Sequence, residues 1–271
     1  METVMTKSFK MIRGLGAILA VAASSAQAGG IFADLDTATD VKGTKLSQAL
    51  YLNYAIPINY RYSVTPEMLN VIDYKSAGTT ITHFYTRVLV TDNSLAKFGD
   101  WTLQMGYRYV LPTSAGAQKQ GSFGAFTLRP LITRTMGNFS VAGRLIAGLH
   151  LQRDGRSVTD KTPNPIGIMG FEFMPAYAIT PHLTIAADIL LASSYYGIAT
   201  ANGVDAVTNV AKTSHFASEF LHNYELSYHF DSCETDVGVY FEHDSNFGIK
   251  GEKFAFMSKA AEVGLSLSKK F

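Results

Sequence analysis

The sequence predicts an all-β chain closed into a transmembrane, antiparallel up-and-down barrel. Three observations carry the prediction. Apolar residues recur at every second position in segment after segment. The connections between these segments alternate between short and long. Beyond residue 28 no continuous apolar run is long enough for a membrane-spanning helix, although 47% of the chain is hydrophobic. A soluble helical protein would gather its apolar residues into stripes three or four apart, which is not what these segments do.

The N-terminus reads as an export leader. Lys7, Lys10 and Arg13 precede an apolar stretch from Gly14 to Ala23, and Ala26-Gln27-Ala28 supplies the small-x-small pattern of a cleavage site. A leader over residues 1–28 leaves a single barrel domain over 29–271. The mature part is close to neutral, which argues against nucleic acid as a partner. Cys233, the one cysteine, cannot form an internal disulfide, and its neighbours Asp231-Ser232 and Glu234 read as a turn.

The first strand is expected over 48–62, with Leu50, Leu52, Tyr54, Ile56, Ile58, Tyr60 and Tyr62 facing lipid. Pro57 falls in its inward set and forfeits a ladder bond, so a bulge is expected there. Residues 101–111 put Trp101, Leu103, Met105, Tyr107, Tyr109 and Leu111 outward, with Gln104, Gly106 and Arg108 inward. In 139–152, Phe139, Val141, Leu145, Ala147, Leu149 and Leu151 face outward and Ser140, Arg144, Gly148 and His150 inward. Residues 183–196 carry Asp188 inward. Residues 214–230 place Phe216, Phe220, Tyr224, Leu226, Tyr228 and Phe230 outward, with Glu219, Asn223, Glu225 and His229 inward. The C-terminal segment alternates Val263, Leu265 and Leu267 with Gly264, Ser266 and Ser268, and ends on Phe271.

The count comes to about ten strands. Twelve is the alternative, reached if Thr65-Pro66-Glu67 forms a turn and residues 31–42 supply a further strand. The short connections, near 93–100, 136–138, 180–182 and 231–234, belong on the periplasmic side, and the longer ones at 112–121, 153–165, 198–213 and 245–254 outside. Trp101, Phe139 and Phe230 near short turns, and Tyr107, Tyr109 and Tyr195 near long loops, suit two interfacial girdles.

The expected lumen lining mixes signs: Arg61, Arg108, Arg129, Arg144, Glu172, Asp188, Glu219 and Glu225, with Asp236 and Glu242. Charges in a confined interior must pair or meet water. The set therefore reads either as an ion-paired plug or as a narrow polar channel. A structural or surface protein, or a porin-like pore, follows. Adhesion through the 198–213 loop is a further option, and Arg153, Arg156 and Lys161 could meet lipopolysaccharide phosphates.

One string could carry chemistry. In Phe241-Glu242-His243-Asp244-Ser245-Asn246-Phe247-Gly248, His243 and Ser245 share the lipid-facing parity, and a histidine beside a hydroxyl can act as its base. The histidines at 215, 222 and 229 are spaced by seven, so they alternate faces and cannot converge on a metal. No cofactor or metal motif is present in the sequence.

The terminal Phe271 resembles the assembly signal of bacterial outer-membrane barrels. That resemblance implies an integral outer-membrane location, a lipid and lipopolysaccharide environment, and recognition by the barrel assembly machinery. The His243-Asp244-Ser245-Asn246 string resembles the lipid A 3-O-deacylases and outer-membrane phospholipase A. It implies an acyl-ester hydrolase with His243 as base, Ser245 as nucleophile and Glu262 as the group orienting the histidine. Counting back from Phe271 puts Glu262 on the lumen parity.

Overall fold

The computed structural model describes residues 30–40, 46–75, 78–119, 121–152, 165–196, 215–247 and 261–271. Twelve strands run in chain order: β1 (Gly30–Asp40), β2 (Leu46–Pro57), β3 (Tyr62–Lys75), β4 (Gly78–Phe98), β5 (Trp101–Leu111), β6 (Ser122–Met136), β7 (Phe139–Gln152), β8 (Pro165–Ala178), β9 (Leu183–Tyr196), β10 (His215–Phe230), β11 (Thr235–Phe247) and β12 (Glu262–Lys270). Each pairs antiparallel with its sequence neighbours, and β1 pairs with β12 to close the barrel. The seam runs from Phe32 opposite Lys270 to Asp40 opposite Glu262, and Phe271 N donates to Ile31 O at 2.8 Å. One short helix, α1 (Ala115–Lys119), sits in the β5–β6 connection.

The expectation of about ten strands is thus two short, and the alternative of twelve holds. The error lies at 48–62. The apolar alternation continues through Ile58, Tyr60 and Tyr62, but the chain reverses there. Asn59 Oδ1 accepts from the backbone N–H groups of Arg61 and Tyr62, both at 2.8 Å, and Ile58 N donates to Tyr62 O at 2.9 Å. An asparagine side chain that stands in for a backbone acceptor makes a tight turn. Tyr60, 85% exposed, sits at its tip. Pro57 ends β2 opposite Ser63 rather than bulging it. Residues 65–67 are not a turn either, since they pair with Leu89, Val88 and Arg87 within β3 and β4. The register shifts lie elsewhere, at Leu69/Asn70, Asp92/Ala96, Ser122/Gly124 and Pro165/Gly167.

The outward parity is as read from the sequence. Leu145, Leu149, Met169, Phe171, Leu191, Val239 and Leu265 are all exposed. No aqueous protein presents an unbroken apolar girdle of this kind, so the outer surface is built for hydrocarbon. The buried apolar residues lie inside, in three clusters: Ala49, Leu69, Val71 and Tyr85; Leu131, Ala142 and Met174; Ile146, Leu190, Ala192 and Leu221. They occupy the same inward rows as the charged residues.

The leader, the 153–164 charges and the 198–213 loop lie outside the described residues. Cys233 is exposed in the short β10–β11 turn, as expected.

Leu145 stands in the middle of β7 and faces lipid. Leu145→Arg is expected to lower folding stability by about 2–4 kcal/mol, read from denaturant titration of the barrel in lipid vesicles.

Candidate functional site

The candidate site is the lumen wall. Because twelve strands close in sequence order, strands six places apart face one another across the interior. Strands β4 to β7 therefore face β10, β11, β12 and β1. The inward residues of these two arcs differ in sign.

The first arc is rich in arginine. Arg87 on β4 contacts Glu67 on β3 and lies 4.5 Å from the Tyr85 ring centroid. Arg108 on β5 and Arg129 on β6 follow, both turned inward. Arg144 on β7 donates to Glu172 Oε2 on β8 at 2.6 Å, and Arg129 reaches the same oxygen at 3.4 Å. Two guanidiniums converge on one carboxylate, so this wall keeps an excess of positive charge. Glu172 is fully buried, and its pairing with the arginines offsets the cost of holding it away from water. Gly106 leaves room beside Arg129: a side chain there would meet its Cβ and carbonyl oxygen at 3.4 Å.

The facing arc is acidic. One register row carries Asp188, Asn223, Glu242, Glu262 and Asp40 on five successive strands. Asn223 Nδ2 donates to Glu242 Oε2 at 3.3 Å. Nearer the short connections, Glu225 Oε1 accepts from Ser266 Oγ at 2.7 Å. Gly238 sits between those two side chains, and a Cβ at that position would collide with both. Asp236, Ser268 and Asp34 form a further row on β11, β12 and β1. At the rim, His229 Nδ1 lies 2.9 Å from Asp236.

The expected lumen residues Arg108, Arg129, Arg144, Glu172, Asp188, Glu219 and Glu225 all fall on inward positions. Arg61 does not. It lies in the Asn59 turn, and its guanidinium grips Asp92 through Nε at 2.9 and 3.0 Å and through Nη2 at 2.6 Å. Asp92 stands opposite Tyr62 and Met105 on the outward parity, so this pair staples the rim. The strand expected over 48–62 had carried Arg61 inward by count, and the reversal removes it from the wall.

Asp34, Asp36, Glu67 and Arg87 are lumen residues that sequence reasoning missed. The signal for the first two was present, since Phe32, Asp34, Asp36 and Ala38 alternate with Ile31, Ala33, Leu35 and Thr37. It is weak because small and polar residues dilute the outward set.

On the opposite surface, His243 is on the outward parity and fully buried. Its cross-strand partner is His222, buried likewise, with ring centroids 5.2 Å apart. Tyr224 and Phe241 form the next pair on that face, and Ser245 stands opposite Phe220. Glu262 pairs with Glu242 on the lumen side. The barrel wall thus separates it from His243, and the two are not brought together. Pairing with His222 was not anticipated, because sequence spacing does not reveal cross-strand register.

No family model matches the chain, and no curated protein matches it. Solved structures do. An outer membrane channel from Pseudomonas putida F1 aligns at 10% identity, over 91% of this chain and 97% of that one, with a TM-score of 0.61. The NanC porin aligns at 10% identity over 87% and 97%, with a TM-score of 0.49. OmpT of Vibrio cholerae aligns at 10% identity over 90% and 97%, with a TM-score of 0.41. The fold is that of an integral outer-membrane barrel. The likeness to the Pseudomonas channel extends over the whole barrel and is a likeness of architecture. None of these findings resembles the lipid hydrolases named above.

Glu172→Gln leaves two inward guanidiniums without their shared carboxylate. A loss of about 3 kcal/mol or more is expected in denaturant titration. Arg134→Gln removes the 3.1 Å pair with the exposed Asp100 and the guanidinium 5.5 Å from the Trp101 ring centroid, and is expected to cost about 1 kcal/mol, less than Glu172→Gln.

Proposed function

We propose that the chain is a narrow outer-membrane channel for small polar solutes. The observation that carries this reading is the division of the lumen into an arginine arc and a facing acidic arc. A plug that only stiffened the barrel has no need to sort its charges by wall, whereas a conduit for charged and polar solutes gains from doing so. Here Arg87, Arg129 and Arg144 pair with Glu67 on β3 and Glu172 on β8, the strands that flank their own arc, while most of the inward carboxylates of the described residues lie on the other side. Walls of opposite sign suit passing ions and polar molecules and a watered interior. The likeness in fold to an outer membrane channel is in keeping with this.

In planar bilayers the purified barrel is expected to give discrete conductance steps. Arg108→Gln and Arg144→Gln each remove a positive charge from the wall. Both are expected to move the reversal potential in a salt gradient toward cation selectivity. Silence at every voltage overturns the reading.

A second reading rests on the buried His222–His243 pair on the lipid-facing side. In it, His243 is the base and Ser245 the nucleophile of an acyl-ester hydrolase at the outer rim, with the His222 imidazole in the orienting place that Glu262 does not reach. Acyl release from lipopolysaccharide or phospholipid that disappears in both His243→Ala and Ser245→Ala is the expected result. Release that is absent in the native barrel, or unchanged in those variants, ends it.

A further inference from the structure

The acidic arc has a part that its own side chains do not satisfy. Asp34 and Asp36 on β1, Glu225 on β10 and Asp236 on β11 gather around Ser266 and Ser268 on β12. The registers are direct: Asp34 stands opposite Ser268, Ser268 opposite Asp236, Asp36 opposite Ser266 and Ser266 opposite Gly238. Asp34 feels the charges of Glu225 and Asp236, and Asp36 those of Asp34 and Glu225. Among the described residues, the inward positions of β9 to β12 and β1 carry one lysine, Lys270 at the exposed end of β12, and two histidines, His215 and His229, the latter 2.9 Å from Asp236.

Three buried oxygens in this group have no hydrogen-bond partner. They are Asp34 Oδ1, Glu225 Oε2 and the Ser268 hydroxyl, on residues that are 6%, 3% and 0% exposed. The serine is the independent sign, because a buried hydroxyl between two carboxylates adds nothing to their repulsion and yet is left unpaired. Buried polar atoms in native proteins are nearly always paired, so oxygens of this kind mark a place that something else completes. Gly238 lets these side chains meet: Glu225 Oε1 and Ser266 Oγ occupy the room that a Cβ there would need.

We propose that this group is a subsite for an organic ammonium group carried by a solute in the lumen. The proposal deepens the channel reading and rests on it. The chemistry favours an amine over a bare metal ion. No three of the described His, Cys, Asp or Glu residues converge tightly enough to hold a metal. The carboxylates are instead spread over three strands with hydroxyls between them. A primary ammonium has three donors, which suit two carboxylate oxygens and one hydroxyl. Alkyl spacing between two amines lets one molecule meet carboxylates that a single ion cannot bridge. The ligand class is therefore a small aliphatic amine or diamine.

Isothermal titration of the purified, detergent-solubilised barrel with 1,4-diaminobutane tests this directly and needs no conductance. Saturable binding is expected, weakened at least tenfold in Asp34→Asn and in Glu225→Gln and several-fold in Ser268→Ala. The heat-modifiable gel shift of a folded barrel serves as the folding check. Removal of carboxylates relieves repulsion, so these variants are expected to fold. Absence of saturable heat overturns the proposal, as does binding that all three variants retain. Magnesium that binds with the same carboxylate dependence while the diamine does not also overturns it, in favour of an inorganic cation. Bilayer recording separates the two readings. Diamine binding without conductance keeps the subsite and removes the channel. Conductance without diamine binding keeps the channel and removes the subsite.

Discussion

A backbone amide in hydrocarbon has no water to turn to, and this constraint governs the molecule. A sheet that ended within a bilayer would leave a whole row of such groups bare, so only closure is tolerable. The β1–β12 pairing supplies it, from Phe32 at one end to Asp40 at the other. Once the cylinder is closed, every strand has one face toward lipid and one toward the interior. The exposed leucines, phenylalanines and tyrosines of the outer surface and the buried charges within follow from that single geometric fact.

Most of this was legible along the chain. β5, β7, β9 and β10 alternate strongly enough that their inward residues could be assigned by counting. β1 was harder, because alanine and threonine occupy much of its lipid face and dilute the contrast. The Asn59 turn was hidden for the opposite reason. Ile58, Tyr60 and Tyr62 carry the same alternation as a strand, because residues at the membrane interface are chosen for amphipathic rings whether or not the backbone is extended. Periodicity reports which solvent a side chain meets. It does not report where the chain reverses, which here depends on one amide side chain and its two acceptor contacts.

Cross-strand neighbours were the other gap. Glu172 could be placed inside, but its grip on Arg144 and Arg129 depends on the registers of three strands. The His222–His243 pair arises in the same way, from two residues that sequence alone could place on a face but not side by side. A register is settled by the sum of all contacts along two strands, and no local pattern encodes it.

The opposed walls of the lumen have an electrical consequence. Basic residues on β4 to β7 and acidic residues on β10 to β1 act as the two plates of a molecular capacitor set across the bore. A dipolar molecule between such plates stops tumbling and takes up one azimuth. In a channel of the proposed kind, passage would then select on how charge is distributed within a solute as well as on its size, and two isomers of equal bulk would travel at different speeds.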